Sequence, residues 1–388
     1  MAHVTRAREG TDVADSLKVA IAAGGTAGHI NPALALAEEL SARGHELSFF
    51  GQPTRLESSL VPQAGFAFQP IDVTGFDRSR PWTLLSALWR MWRAEHALDR
   101  LFSRQGAPDV AVGFGAYVEL PLMRWCHAHG VPFVIHEQNS VPGLANKTSA
   151  GQAACVCVSL PVAIDAFRDR VGAHTQIVVT GNPVRRSVIS ASRSQGRLAL
   201  GIPEDADMLL VFGGSLGARH INQGVLRLKD ELLSREGLYV VHSTGKGEYD
   251  SVVGELALTD EEARRWKVLP YIDNMGETLA ASDLVLSRAG ASSIAEIAAL
   301  ALPSVLVPYP FATADHQTTN ARYLVDAGAA VMIADSDIDE ESFSQELLSL
   351  VDDPRSREAM RAAARGLGQD RAASALADQV ESAVLLGE

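Results

Sequence analysis

The sequence has no run of about 18 uncharged apolar residues, so no transmembrane helix is expected. Cysteine is scarce. Cys126, Cys155 and Cys157 make an odd number without framework spacing, which argues against a disulfide scaffold and for reduced thiols in a cytoplasmic protein. Cys155 and Cys157 lie in the apolar run Ala153 to Val158 and read as buried strand thiols rather than metal ligands. The chain lacks H-E-x-x-H and any Cys/His cluster. Asp205-x-Asp207 and Asp335-x-Asp337 come closest to an acidic metal pair, and both read as helix-capping groups. No protein-bound metal and no other cofactor is therefore expected. A basic surplus is also missing: the net charge is −13, which excludes nucleic acid as a natural partner and leaves any anionic ligand to be held by local donors. Residues 1–16 mix charges with small residues and contain no apolar segment, so they read as a disordered extension and not as a signal peptide.

What is present is an ordinary globular composition, 47% hydrophobic and 21% charged, over 388 residues, a length that favours two domains. Short β-branched runs alternate with helical patterns from end to end: Lys18–Ala23 then Ala33–Ala42, Val110–Val112 then Leu120–His129, and later Ile177–Thr180, Met208–Phe212, Tyr239–Ser243, Leu284–Ser287 and Ser304–Val307. This alternation predicts an α/β fold with parallel sheets covered by helices on both faces. The turn Gly24-Gly25-Thr26-Ala27-Gly28 after one apolar strand is echoed by Gly213-Gly214-Ser215-Leu216-Gly217 after another. Two such starts, half a chain apart, fit two Rossmann-like domains facing across a cleft. The expected boundary lies near Gly181-Asn182-Pro183, where turn formers cluster.

Glycine turns at the carboxyl ends of strands let a ligand approach the backbone, and the helix that follows offers free N–H donors. The first turn is not G-x-G-x-x-G and is a poor dinucleotide fingerprint. His29 follows it; an imidazole there suits proton removal from a sugar hydroxyl, and equally suits packing at a helix start. In the second turn Ala218 stands at the equivalent place, so the two copies are not chemically equal. Ser215 could bind a phosphate oxygen or cap its helix. Along Ser287 to Glu296 a strand ends, small residues open the backbone and a helix begins around Ser292, which suits a diphosphate at the helix N-terminus. Glu296, one turn in, could accept from two ribose hydroxyls or serve as a first-turn carboxylate. Three more polar loops follow apolar strands or the presumed hinge: His136-Glu137-Gln138-Asn139, Gly181-Asn182-Pro183-Val184-Arg185 and Asp315-His316-Gln317-Thr318-Thr319-Asn320.

Together these loops, with Gly113–Tyr117, resemble the MurG family of UDP-N-acetylglucosamine transferases, which convert lipid I to lipid II. The motifs occur in the family's order and cover nearly the whole chain; His-Glu-Gln-Asn and Gly-Asn-Pro-Val-Arg in one sequence are highly specific. The resemblance implies a GT-B fold with an N-terminal acceptor and membrane-binding domain over residues 17–184. A donor domain would follow over 185–369, and a last helix within 370–388 would return to the first domain. It implies an inverting transfer of GlcNAc to the muramyl 4-hydroxyl, with His29 as candidate base. Donor contacts would come from Thr26, Ala27, Gly28, Asn139, Arg185, Ser215, the Ile272 backbone at uracil, Ala291, Ser292, Ser293, Ile294, Ala295, Glu296 and Gln317. Tyr117 and Glu137 would lie on the acceptor side. The implied partners are UDP-GlcNAc, lipid I, an anionic membrane surface, and cell-wall and division proteins, at the cytoplasmic face of the cell membrane. The chain departs from the family at Ala27, usually glycine, at Leu216, often glutamine, and in Glu119-Leu120-Pro121-Leu122, where many relatives carry small, glycine-rich residues.

Between Arg78 and Arg104 six arginines (78, 80, 90, 93, 100 and 104) face only Glu95 and Asp99, interleaved with Trp82, Leu85, Leu88, Trp89 and Trp92. Trp82, Leu85, Trp89, Trp92, Arg90 and Arg93 suit a bilayer interface; a core helix with its tryptophans inward is the competing expectation. Two rival functions remain at this level. A sugar-nucleotide 2-epimerase of the same fold would need acidic groups around the sugar and no lipid-binding face. A non-catalytic sensor would not need His29.

Overall fold

The computed structural model describes residues 16–73, 82–214, 218–367 and 370–385, with only the backbone at residues 83 and 84. Ser215, Leu216, Arg78, Arg80 and residues 1–15 of the expected extension lie outside the described residues; Ser16, included in that extension, donates its hydroxyl to the Gly44 carbonyl.

Seven parallel strands form the first sheet: β1 (Lys18–Ala22), β2 (Glu46–Gly51), β3 (Ala67–Pro70), β4 (Val110–Gly113), β5 (Phe133–Glu137), β6 (Cys155–Val158) and β7 (Gln176–Val179). Six form the second: β8 (Asp207–Phe212), β9 (Leu238–Ser243), β10 (Trp266–Leu269), β11 (Leu284–Ser287), β12 (Ser304–Leu306) and β13 (Ala330–Met332). The spatial orders are β3-β2-β1-β4-β5-β6-β7 and β10-β9-β8-β11-β12-β13. Both are doubly wound, and each reverses direction once, between β1 and β4 and between β8 and β11. Open α/β sheets bind ligands at the carboxyl ends of the strands flanking such a reversal.

Buried clusters lie on both faces of each sheet, as expected where helices cover both. The last helix, Ala372–Leu385, puts Leu376, Ala377 and Val380 into the core of the first sheet beside Ile21 and Val112. Arg43, after the first helix, ties that helix down by ion pairs of 2.7 Å to Asp378 and 2.9 Å to Glu381. The three cysteines are buried and free.

Two expectations about acidic residues fail. Asp207 opens β8 and pairs with Arg357 at 2.7 Å, while the Asp335 carboxylate meets His220 at 2.8 Å and Arg288. Neither caps a helix; each neutralises a cation that arrives from a remote segment.

The long helix Thr83–Gln105 carries two apolar stripes. Ala94, Leu98 and Phe102, spaced by four, are buried against the sheet. Leu85, Leu88, Trp89 and Trp92, together with Trp82 before the helix, are each at least 55% exposed. The tryptophans turn outward, against the core-helix expectation. Arg93 lies 4.7 Å from the centre of the Trp89 ring, and Arg90 pairs with Asp72.

Candidate active site

The first sheet sets the stage at its reversal. Ala22 of β1 is in register with Gly113 of β4, so the turns that follow these strands lie side by side. After β1 the chain turns at Gly25, whose φ of 86° favours glycine, and enters the helix Ala27–Ala42 six residues earlier than the Ala33 start read from the sequence. His29 thus sits inside the first helical turn. Its Nδ1 lies 3.0 Å from Thr26 Oγ1. Part of its surface stays open, but the ring is deep enough that desolvation lowers its pKa to about 4, against a smaller raising effect from a hydrogen bond with Gly24. At neutral pH it is an uncharged imidazole. The neighbouring turn packs directly on it: a Cβ built on Gly115 would lie 3.4 Å from His29 Cδ2.

Tyr117, next along this turn, is 37% exposed. The His-Glu-Gln-Asn string is less available than its polarity suggested. His136, Glu137 and Gln138 are all buried. His136 Nε2 lies 2.9 Å from the Gly181 carbonyl and locks β5 to the hinge. Glu137 accepts from the Asn139 and Gly143 N–H groups and from Asn146 Nδ2 at 2.8 Å, so its carboxylate braces its own loop, and burial pushes its pKa up. Asn139 alone of the four keeps a partly open side chain.

In the second sheet the helix Ala291–Ala299 starts one residue earlier than read, with Gly290 as its cap residue. Its first-turn N–H groups, including those of Ser292 and Ser293, form a donor set for an anion. Glu296 sits deep enough that desolvation pushes its carboxyl up to about 7, with Arg185 opposing the shift. Gln317 accepts through Oε1 from the Ala289 and Tyr309 N–H groups, at 3.2 and 2.9 Å, which fixes the side chain and leaves its amide nitrogen uncommitted by that pair. Ile272 is buried in the loop after β10.

Contacts cross between the halves near this cleft. Asn320 Oδ1 accepts from the Ser140 N–H at 3.0 Å, Ser140 donates to the His316 carbonyl, and Asn182 donates to the Ala291 carbonyl. Arg185 has a carboxylate partner in this structure. It pairs with Glu38 of the first helix at 2.9 Å, and the second Glu38 oxygen accepts from the Arg186 N–H. The partner was invisible in the sequence because it lies 147 residues away.

Residues 19–158 match the glycosyltransferase family 28 N-terminal domain, and residues 208–380 match its C-terminal domain. The chain belongs to glycosyltransferase family 28. Family members named UDP-N-acetylglucosamine–N-acetylmuramyl-(pentapeptide) pyrophosphoryl-undecaprenol N-acetylglucosamine transferase run alongside it almost completely. The one from Desulforudis audaxviator is 40% identical over 94% of this chain and 98% of its own. The one from Halothermothrix orenii is 36% identical with the same coverage of both chains. The crystal structure of Acinetobacter baumannii MurG superposes with a TM-score of 0.72 at 28% identity, covering 94% of this chain and 99% of that one. The resemblance to the MurG family and the two-domain GT-B architecture expected from the sequence are borne out.

The buried histidines of the family 28 fold have a consequence for stability. Desolvation lowers the pKa of both His136 and His242 to about 4, below the unfolded value of 6.5. Such groups add stability above pH 6.5 that is lost as pH falls towards 4, at about 1.4 kcal/mol per pH unit each. Glu119, pushed up to about 8, acts oppositely and is lost from the balance as pH rises. Comparing urea midpoints of wild type and His242→Gln from pH 7 to pH 4.5 isolates one histidine: the variant should show the shallower decline.

Proposed function

We propose that this chain transfers N-acetylglucosamine from UDP-GlcNAc to the 4-hydroxyl of the N-acetylmuramyl unit of a pentapeptide-bearing pyrophosphoryl-undecaprenol acceptor, converting lipid I to lipid II with inversion. The observation that carries this reading is the near-complete match, at 36–40% identity, to transferases named for that donor and acceptor. The support for His29 as base is that the ring follows the carboxyl end of β1 and is uncharged at neutral pH. In the proposed mechanism His29 Nε2 takes the proton of the acceptor hydroxyl, whose oxygen attacks the anomeric carbon opposite the departing UDP. The N-terminus of the helix Ala291–Ala299, with Ser215 and Arg185, stabilises the diphosphate as its charge develops. Arg185 would exchange Glu38 for the diphosphate. Glu296 accepts from the ribose hydroxyls, the Ile272 backbone meets uracil, and Gln317 and Asn139 reach the sugar. Thr26, Ala27 and Gly28 lie near the diphosphate, and Tyr117 and Glu137 belong to the acceptor side. The proposed mechanism uses the protein's own cations and N–H donors at the leaving group and calls on no resident metal or other cofactor. The stereochemistry gives a test: NMR of the disaccharide made with the purified enzyme should show a β-configured new linkage, and an α linkage would refute the displacement.

The outward apolar stripe of Thr83–Gln105 supports docking on an anionic membrane surface, at the cytoplasmic face where the lipid acceptor is made, and within reach of cell-wall and division proteins. Among the described residues no helix is long and apolar enough to cross a membrane. Interfacial tryptophans each add apolar contact, and basic residues near anionic lipid contribute roughly 1 kcal/mol apiece. The double substitution Trp89→Ser with Trp92→Ser should weaken binding to vesicles containing anionic lipid by about tenfold or more at unchanged thermal stability. Equal vesicle binding by the variant and wild type would remove the stripe from the account.

A further inference from the structure

Two fully buried carboxyl groups hold the turns on either side of His29. Glu57, fully buried, comes from the helix Glu57–Gln63 after β2. Its Oε2 accepts from the Gly25 N–H at 3.1 Å and its Oε1 from the Gln52 N–H at 2.9 Å, so one side chain binds the turn after β1 to the end of β2. The fit is close: a Cβ on Gly24 would stand 2.4 Å from Glu57 Oε1, and one on Gly51 only 2.5 Å from Glu57 Cγ. Glu119 does the same for the turn after β4. It is fully buried, and its Oε2 accepts from the Gly115 N–H at 2.6 Å. A Cβ on Gly113 would stand 2.5 Å from that same oxygen. Gly115 and Ala116 both hold positive φ, 80° and 64°, a conformation that costs energy at alanine and needs outside support.

The imidazole lies between these two turns. On one side are Thr26 and Gly24, the latter peptide-bonded to the Gly25 held by Glu57. On the other is Gly115, held by Glu119 and close enough that a Cβ there would touch the ring at ordinary van der Waals distance, 3.5 Å from His29 Nε2. We propose that Glu57 and Glu119 are positioning residues that fix the His29 ring, each through one peptide N–H of one glycine turn. A base must meet its proton within hydrogen-bond reach, and a ring displaced by an ångström loses much of its effect. Burying a carboxyl group is costly unless its oxygens are bonded; both Glu57 oxygens accept from backbone N–H groups, whereas Glu119 uses Oε2 alone, its Oε1 being buried without a hydrogen-bond partner among the described residues. Burial, with Glu137 adding a smaller raising effect, pushes Glu119 up to about 8, so at neutral pH it accepts from Gly115 as a largely protonated acid. The chemistry needed is therefore an oxygen acceptor, not a negative charge.

This inference rests on His29 being the base, and the experiment separates the two. Steady-state transfer and UDP affinity are measured for wild type, Glu119→Ala, Glu119→Gln, His29→Ala and the double variant Glu119→Ala/His29→Ala. Glu119→Ala should lower kcat by about tenfold or more, with the UDP Kd within about twofold of wild type, because Glu119 holds the turn after β4 and neither the Thr26–Gly28 turn nor the Ala291–Ala299 helix. Glu119→Gln, whose amide oxygen can still accept from Gly115, should recover most of that loss. In the His29→Ala background, Glu119→Ala should lower kcat no further, because the ring it positions is gone. A full further drop in the double variant, or no recovery with glutamine, overturns the positioning role while leaving His29 as base. A fully active His29→Ala overturns the base reading itself. If Glu119→Ala does not fold, Glu119→Met, equally long but without the acceptor, takes its place; Glu57→Gln and Glu57→Met repeat the test on the other turn.

Discussion

Replacing His29 with alanine should lower kcat for sugar transfer by about 100-fold to 10,000-fold and leave UDP affinity nearly unchanged. His29 follows a strand of the first sheet, whereas the proposed nucleotide set around Ala291–Glu296 follows a strand of the second. A base removed from the acceptor side costs the transition state and spares donor binding. Its burial also fixes a pH signature. With a pKa lowered to about 4 by desolvation, His29 in the free enzyme is competent across the range in which an ordinary histidine would already be protonated. The acid limb of kcat/KM should therefore fall near pH 4 rather than near 6.5. An alanine variant with wild-type kcat would mean that the acceptor hydroxyl loses its proton elsewhere.

The second large effect is expected at Glu296. Each hydrogen bond between a ribose hydroxyl and a carboxylate is worth about 1.5–3 kcal/mol. Glu296→Ala should thus weaken UDP binding by roughly 100-fold, read by calorimetry, while the variant stays folded. The free carboxyl is pushed up to about 7 by desolvation, so half of it is protonated near neutrality and a poorer acceptor. UDP affinity in wild type should therefore strengthen as pH rises through about 7, and this part of the dependence should vanish in Glu296→Gln. Unchanged affinity in Glu296→Ala would place the ribose elsewhere.

Much of this site was legible in the chain because it is local. An apolar strand, a glycine turn and a helix occupy consecutive residues, and their repetition at Gly24 and Gly213 points to two Rossmann-like domains, which the two parallel sheets bear out. The helix opened by Gly290 and the carboxylate one turn later could be read the same way. What escaped is what depends on distance along the chain. Glu57 attracts no notice until the Gly25 N–H, 32 residues away, is seen to need it. Glu119 registered only as a departure from small residues, not as the support of Gly115. The pairing of Arg185 with Glu38 could not be read because the two lie 147 residues apart. Polarity at a strand end does not reveal which way a side chain turns: His136 bonds the Gly181 carbonyl and Gln138 bonds His136. Asp207 and Asp335 read as caps from adjacent helix starts, yet each answers a remote arginine.

The central claim is tested most directly by incubating the purified protein with UDP-GlcNAc labelled in the sugar, with and without a lipid I analogue. The account predicts label in a lipid-linked disaccharide only when the acceptor is present, with UDP released in equal amount. Label that stays on the nucleotide, or appears as a 2-epimerised sugar without acceptor, would contradict it.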